Sequence, residues 1–330
     1  EDLRPSTVLS RQSFENALSV AMALGCSTNA IIHLIALSRR AGFALTLDDF
    51  DAAGRRIPVL ANIRPSGERY LMEDFFYAGG LRALMVQMET FLYGSAKTVS
   101  GRTLQEEIAG AEVYLNDVIR GLDNPVSTKP AMAVLRGNLA PDGAVIKPSA
   151  ADRRLLKHSG PALVFDSYAE MKDRIDDPSL GATPDTVLVM RGAGPQGGPG
   201  MPEWGMLPIP KYLLERGVRD MVRISDARMS GTSYGACILH VAPEAHVGGP
   251  LALVQTGDRI AVDVSQGLLQ VELSDAELTR RRALWQLPQA KFGRGYGWAY
   301  AAHVQQANLG CDFDFLETGF GAAVPEPDIL

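Results

Sequence analysis

Thr186-Val187-Leu188-Val189-Met190-Arg191-Gly192-Ala193-Gly194-Pro195-Gln196-Gly197 is the stretch on which the fold of this chain turns. The apolar run Thr186–Met190 reads as a buried strand, and the glycines behind it fit G-x-G-x-x-G, the dinucleotide fingerprint. That fingerprint works only when a helix starts inside the glycines, so that its free N–H groups meet a pyrophosphate. Here Pro195, Pro199 and Pro202 remove donors, Gly197, Gly198 and Gly200 add breaks, and no amphipathic helix begins before Lys211. The stretch therefore reads as a strand feeding a rigid, irregular loop whose small residues let a ligand approach the backbone. A nucleotide-binding oxidoreductase built on Gly192–Gly197 stands as the alternative from another class, and nicotinamide-cofactor binding discriminates the two.

Working outward, the same strand–turn rhythm fills the C-terminal side. Short β-branched runs at Ala144–Ile146, Ala162–Phe165, Met221–Ile224, Leu251–Gln255, Arg259–Val264 and Leu268–Leu273 alternate with Gly/Pro turns. Ser274-Asp275-Ala276-Glu277 is a capping box that opens a helix to about Trp285. On the N-terminal side the period changes to that of helices. Ser13–Leu24 and Ala30–Arg40 are predicted helices separated by Gly25-Cys26-Ser27-Thr28-Asn29, with another starting near Thr46. Ile57–Leu60 is a short strand candidate. Tyr70–Tyr93 is helical with a break at Gly79-Gly80, and Thr103–Leu122 is predicted helical until Asp123-Asn124-Pro125 stops it. The expected division is residues 1–123, helix-rich, and residues 124–330, β-rich, with the segment after Lys291 packed down.

Bulk properties narrow the function classes. The 330 residues suffice for two cores, and 46% hydrophobic with 21% charged residues is a globular composition. With a net charge of −6 and no basic cluster beyond two or three residues, no nucleic-acid partner is expected, because phosphate binding needs concentrated Lys/Arg. No apolar run approaches the ~20 residues that span a bilayer, so no membrane role is expected. Cys26, Cys237 and Cys311 are far apart and odd in number, neither a disulfide framework nor a metal knuckle, which makes a reducing cytoplasm the default. The chain opens without an initiator Met, directly into helical spacing, and reads as the middle of a protein.

Two loops hold the residue types that do chemistry. Glu203, in Met201-Pro202-Glu203-Trp204-Gly205, is either a solvent-facing loop carboxylate or a hard-cation ligand or acid/base group. Ile224-Ser225-Asp226-Ala227-Arg228-Met229-Ser230-Gly231-Thr232-Ser233-Tyr234-Gly235 runs a strand into a turn dense in hydroxyls, with Asp226 and Arg228 alongside. It is either an ordinary Ser/Gly turn or a catalytic one. A serine triad is disfavoured because no G-x-S-x-G elbow surrounds Ser230. His33 and His240 have apolar neighbours and read as structural.

The segments GCSTNAIIHL (25–34), PSGERYLMEDFFYAGGL (65–81), RGNLAPDGAVIK (136–147), RGAGPQGGPGMPEWG (191–205), ISDARMSGTSYG (224–235) and HVAPEAHVGGPLALVQTGD (240–258) together resemble the dihydroxy-acid dehydratase / 6-phosphogluconate dehydratase family. The wording of 224–235, and Cys26 where many relatives carry Gly, resemble its aldonate branch, which dehydrates pentonates such as arabinonate and xylonate. The branched-chain dihydroxy-acid enzymes are the alternative within the family. The resemblance implies an α/β fold: the end of an α/β N-terminal cluster-binding domain (1–123), then a β-rich, barrel-like swivelling domain (124–330), with the active site between them. It implies a hydro-lyase that converts a sugar acid to its 2-keto-3-deoxy acid, using a [2Fe-2S] cluster and Mg²⁺ as Lewis acids. By the same resemblance Ser230 is the base, as an alkoxide, Glu203 is a Mg²⁺ ligand, and Thr232 and Arg228 bind substrate. A serine hydroxyl is too weak an acid for this unless adjacent cations stabilise its alkoxide. Homo-oligomers, dimers or tetramers, are expected.

Two departures accompany the resemblance. The family's cluster cysteines and its other Mg²⁺ ligands, a modified lysine among them, belong to an upstream half that these 330 residues do not contain. No cluster ligand is expected in this segment, and residues 1–330 alone are expected to bind no complete cluster and to be inactive. Sugar-acid relatives often close with a His near the active site, whereas this chain ends in Leu330.

Overall fold

A computed structural model describes residues 3–231 and 233–316 of the chain. The N-terminal third is a layer of helices: α1 Pro5–Val8, α2 Arg11–Leu24, α3 Asn29–Arg40, α4 Leu47–Arg56, α5 Met72–Tyr77, α6 Gly80–Gln87 and α7 Leu104–Ile108. Their limits follow local chemistry. Helix α2 begins at a Ser10/Ser13 capping box, one turn before the sequence-based start at Ser13, and ends on Gly25 in the left-handed region (φ 64°). Thr46 and Asp49 cap α4 in the same way, with Asp49 accepting from the Thr46 N–H.

The long helix predicted for Thr103–Leu122 does not form. It stops at Ile108, Gly110 takes φ 70°, and a turn at 116–118, with the Val118 and Ile119 N–H groups on the Leu115 carbonyl, leads into the bridge of Ile119 to Ala61. Val118 and Ile119 are buried in the helical core from this turn, so the apolar pattern is satisfied without a helix. The Ile57–Leu60 strand candidate is reduced to isolated bridges, Val59 to Ser127 and Ala61 to Ile119.

Eight strands then close a mixed barrel: β1 Ala133–Gly137, β2 Ala140–Ile146, β3 Lys157–Phe165, β4 Val187–Met190, β5 Arg223–Ser225, β6 Cys237–Ala242, β7 Arg259–Asp263 and β8 Leu268–Val271. The order around it is β1-β2-β6-β5-β4-β3-β7-β8. Strands β3, β4, β5 and β6 pair in parallel, hairpins β1/β2 and β7/β8 are antiparallel, and Arg136 to Leu268 closes the ring. Helices α8 Tyr168–Arg174 and α9 Lys211–Glu215 lie between strands, and α10 Asp275–Leu284 and α11 Gly295–His303 follow β8.

The alternation of strand side chains joins the two parts. Val187 and Val189 fill the barrel, while Leu188 and Met190 face an outer core with Leu213 of α9. On β1 and β2, Leu135 and Ile146 point into the barrel, whereas Val134 and Val145 enter the helical core beside Met22 and Ile35. Leu251–Gln255 is not a strand: Pro250–Leu253 forms a 3₁₀ turn with Pro250 at its start, where a missing N–H costs nothing. Among the described residues no helix is long and apolar enough to cross a membrane.

Candidate functional site

The glycine loop is held from beneath by two buried carboxylates. Asp226, directly after β5, is fully buried and accepts the N–H groups of Gly192 (3.1 Å), Ala193 (3.0 Å) and Ala245 (3.0 Å). Glu244, 1% exposed after β6, accepts from the backbone of Gln196 (2.9 Å) and Gly197 (2.8 Å) and from Gln306 Nε2 (2.9 Å). The N–H groups that a dinucleotide phosphate would need are thus already bonded inside the protein, and the next helix is α9. The same cradle explains Gly194, where a Cβ would come within 2.6 Å of Glu244 Oε2.

Burial, and next to it the charge of Glu244, pushes the Asp226 carboxyl up to about 6, with the three N–H donors pulling the other way. Glu244 is likewise raised by burial against its own donors.

The loop emerges from this cradle under strain. Met201 has φ 49° and His240 φ 56°, both left-handed without being glycine. The Arg228 guanidinium donates to the carbonyls of Met201 and Gly200, which anchors it on the loop. His240 is buried and its imidazole is pushed down to about 3, first by burial and then by Arg228 and His33, which keeps it neutral. His33 itself is exposed, contrary to the structural reading: it shares the outer face of α3 with Leu37, one turn on, while Ile31, Ile35 and Ser38 face inward.

Glu203 and the serine turn meet at one residue of the helical layer. Asn29, first in α3, donates through Nδ2 to Glu203 Oε1 (2.6 Å) and to the carbonyl of Met229 (3.1 Å), the residue before Ser230. Ser27 packs on Gly231, where a Cβ would stand 2.9 Å from the Ser27 Cβ. Ser230 is half-buried, and its carbonyl accepts from Ser233 N (3.0 Å), which closes the turn. Beyond it, buried Arg223 and Asp220 pair at 2.7 Å; Asp220 also receives the Ala236 N–H, and Arg223 donates to the Tyr234 carbonyl. Glu203 and the backbone just before Ser230 are thereby joined through Asn29. Arg228 is bonded to the loop that leads to Glu203, and Thr232 lies outside the described residues. Asn29, Asp220, Arg223 and Glu244 were not found by sequence reasoning.

The loop 25–29 is itself pinned. Lys147, 2% exposed at the end of β2, donates Nζ to the Gly25 carbonyl (2.6 Å), and Ser66 Oγ donates to the same oxygen (3.2 Å). Burial lowers the Lys147 ammonium to about 8, with the nearby Cys26 acting in the other direction. On the far side of Ser66, a polar cavity of about 880 Å³ opens between 62–70, 117–129 and 148–156, with Arg69, Arg120, Lys129 and Arg153 on its walls; neither Glu203 nor Ser230 reaches it.

The two groups implied by the sequence fit differently. Glu203 is exposed, with one carboxylate oxygen held by Asn29, an arrangement suited to lending the other oxygen to a hard cation. It is a single ligand: among the described residues no three His, Cys, Asp or Glu side chains are gathered for a metal. The cysteines do not fit a cluster. Burial raises Cys26 and Cys237 to about 11 and Cys311 to about 12, keeping them as thiols, and Cys311 Sγ lies against Met201 Sδ.

Comparison with known proteins now defines the class. Residues 117–311 match the family model for the dihydroxy-acid/6-phosphogluconate dehydratase C-terminal region, and residues 1–107 match that for the N-terminal region. The chain belongs to the dihydroxy-acid/6-phosphogluconate dehydratase family. It is 58% identical to a 6-deoxy-6-sulfo-D-gluconate dehydratase of Pseudomonas putida, over 99% of this chain and 57% of that protein. An L-arabinonate dehydratase of Rhizobium leguminosarum bv. trifolii is 46% identical, over 98% of this chain and 56% of that protein. A dihydroxy-acid dehydratase of Acetivibrio thermocellus is 42% identical, over 94% and 56%. The chain thus spans little more than half the length of these relatives.

Proposed function

We propose that this chain belongs to a hydro-lyase that dehydrates a sugar acid to its 2-keto-3-deoxy acid, with Ser230 as the base. The observation that carries the reading is the single amide of Asn29 bonded both to Glu203 and to the backbone of the serine turn, in a chain of this family. Ser230, as an alkoxide, takes the proton from C2 while the hydroxyl leaves C3; that proton, passed on from Ser230 to the departing hydroxide, completes the water and restores the base, and the enol that remains tautomerises to the 2-keto-3-deoxy acid. Glu203 supplies one ligand to a Mg²⁺ ion, whose charge, when bound, favours the serine alkoxide and the substrate carboxylate. Asp226, Glu244 and Arg228 fix the loop that carries Glu203. Because the three cysteines do not fit a cluster, nothing in these steps is assigned to one, and cluster binding is attributed to other parts of the enzyme. Assembly as a homo-oligomer and a cytoplasmic setting belong to the same reading.

For the substrate, a pentonate follows from the wording of 224–235, which resembles the aldonate branch. The higher identity to a protein named for 6-deoxy-6-sulfo-gluconate, 58% against 46% for the arabinonate enzyme, favours a second reading, a six-carbon acid with a distal anion. An aldonate panel on the complete, anaerobically purified enzyme, read out as 2-keto-3-deoxy acid, separates the two. Ser230→Ala is expected to bind substrate by calorimetry yet lose at least about 10³-fold in turnover. Turnover near that of the parent would remove Ser230 from the chemistry.

A further inference from the structure

We infer that Asn29 is a positioning residue for the reaction, its amide setting where the Glu203 carboxylate stands relative to the serine turn. The inference rests on the reading of Glu203 as a cation ligand and adds to it a residue from the opposite part of the fold.

Three observations carry it. First, the amide can point only one way. Both atoms facing it, Glu203 Oε1 and the Met229 carbonyl, are acceptors, so the NH₂ must face them, and neither would meet Oδ1 favourably. Asn29 Oδ1 is buried and makes no hydrogen bond among the described residues, so these two donations alone orient the amide.

Second, the amide's own footing is rigid. Asn29 opens the 12-residue helix α3, its N–H donates to Ser27 Oγ (3.2 Å), and Ser27 packs on Gly231. The loop before it is fixed by Lys147 and Ser66 on the Gly25 carbonyl. The contact therefore ties two barrel loops, 26 residues apart at Glu203 and Met229, to one point in the helical layer.

Third, the contact leaves the carboxylate half free. Glu203 meets Asn29 at the N-terminal end of α3, where the helix dipole favours negative charge, and the amide takes up one carboxylate oxygen while leaving the other available. A group that orients a metal-binding carboxylate from behind in this way typically changes metal affinity or activity by about 10–100-fold when removed.

The test is a direct metal titration of the complete enzyme, by Mg²⁺ calorimetry and by Mn²⁺ electron paramagnetic resonance, on the parent, Asn29→Ala and Glu203→Gln. Asn29→Ala is expected to bind the ion about 10–100-fold more weakly and to lose turnover to a similar degree, with its thermal unfolding close to that of the parent. If the alanine variant does not fold, Asn29→Ser, which can still begin the helix, is expected to give the same weakening. Metal binding unchanged in the Asn29 variants, with binding lost in Glu203→Gln, would overturn the inference and leave the reading of Glu203 intact. Glu203→Gln binding the ion like the parent would instead overturn the reading on which the inference rests.

Discussion

Replacing Lys147 by Met is expected to make the chain more stable near neutral pH, although it removes a hydrogen bond. The ammonium is 2% exposed and has no carboxylate partner among the described residues. Lowering it from 10.5 to about 8 corresponds to about 3 kcal/mol, at about 1.4 kcal/mol per pH unit. Met is unbranched and of similar length, so it refills the volume without a large cavity. The loss of the bond to Gly25 offsets about 1 kcal/mol, because the Ser66 hydroxyl still donates to that carbonyl. The net gain is about 2 kcal/mol at pH 7, which is small beside the total stability but measurable. Its pH dependence is the sharper check. A depressed folded-state value means that the lysine's favourable contribution is present above 10.5 and is lost as pH falls through about 8. The advantage of Lys147→Met should therefore shrink between pH 8 and pH 10.5. Thermal unfolding of both proteins across pH 7–10 measures this. A variant less stable than the parent at pH 7, or a difference that does not change with pH, refutes the reasoning.

Gly194→Ala puts a Cβ 2.6 Å from Glu244 Oε2 and 2.7 Å from its Cβ, so the carboxylate must leave the Gln196 and Gly197 N–H groups. A loss of about 2–4 kcal/mol in thermal or urea unfolding is expected, and a loss below about 0.5 kcal/mol contradicts the cradle. Iron and sulfide analysis of the isolated 330-residue chain after anaerobic reconstitution is expected to find no stoichiometric cluster, since Cys237 is buried, Cys26 and Cys311 are half-buried, and among the described residues no three His, Cys, Asp or Glu side chains gather for a metal. A full complement of either element would refute that expectation.

How much of this was legible in the sequence depended on whether the signal was local. The strands at 144–146, 162–165, 187–190 and 259–263 were readable because barrel strands buried on both faces make continuous apolar runs. Two strands, β1 and β6, were not. In β1 the run is short and interrupted by Arg136, and in β6 Cys237–Ala242 contains His240, a polar residue whose burial only the folded environment explains. In the glycine loop the prolines argue locally against a dinucleotide site. What the loop does instead depends on Asp226 and Glu244, 34 and 48 residues from their respective partners Gly192 and Gln196, a pairing that no local pattern encodes. Glu203 and Ser230 stand out by motif, whereas Asn29, 174 residues before Glu203, sits in the break between two predicted helices and carries no such mark.

The costly features of the structure are gathered around one loop. Two carboxylates are buried beneath residues 192–197, two non-glycine residues hold left-handed backbone beside it, and a lysine with no carboxylate partner among the described residues braces the segment that meets it. Each is unfavourable alone: an isolated buried charge is expensive, and left-handed backbone costs about 1–3 kcal/mol. Asp226 adds a pH signature, since a raised folded-state value makes its contribution complete below 3.8 and lost as pH rises through about 6. Near neutral pH the ionised form is therefore present at some expense of stability, and that is also the form best able to accept three backbone N–H groups. The barrel core would be satisfied by apolar residues at these positions, so packing does not account for them. Satisfying the N–H groups of a loop that has no helix or strand of its own does, because the two oxygens of a carboxylate can accept several N–H groups at once.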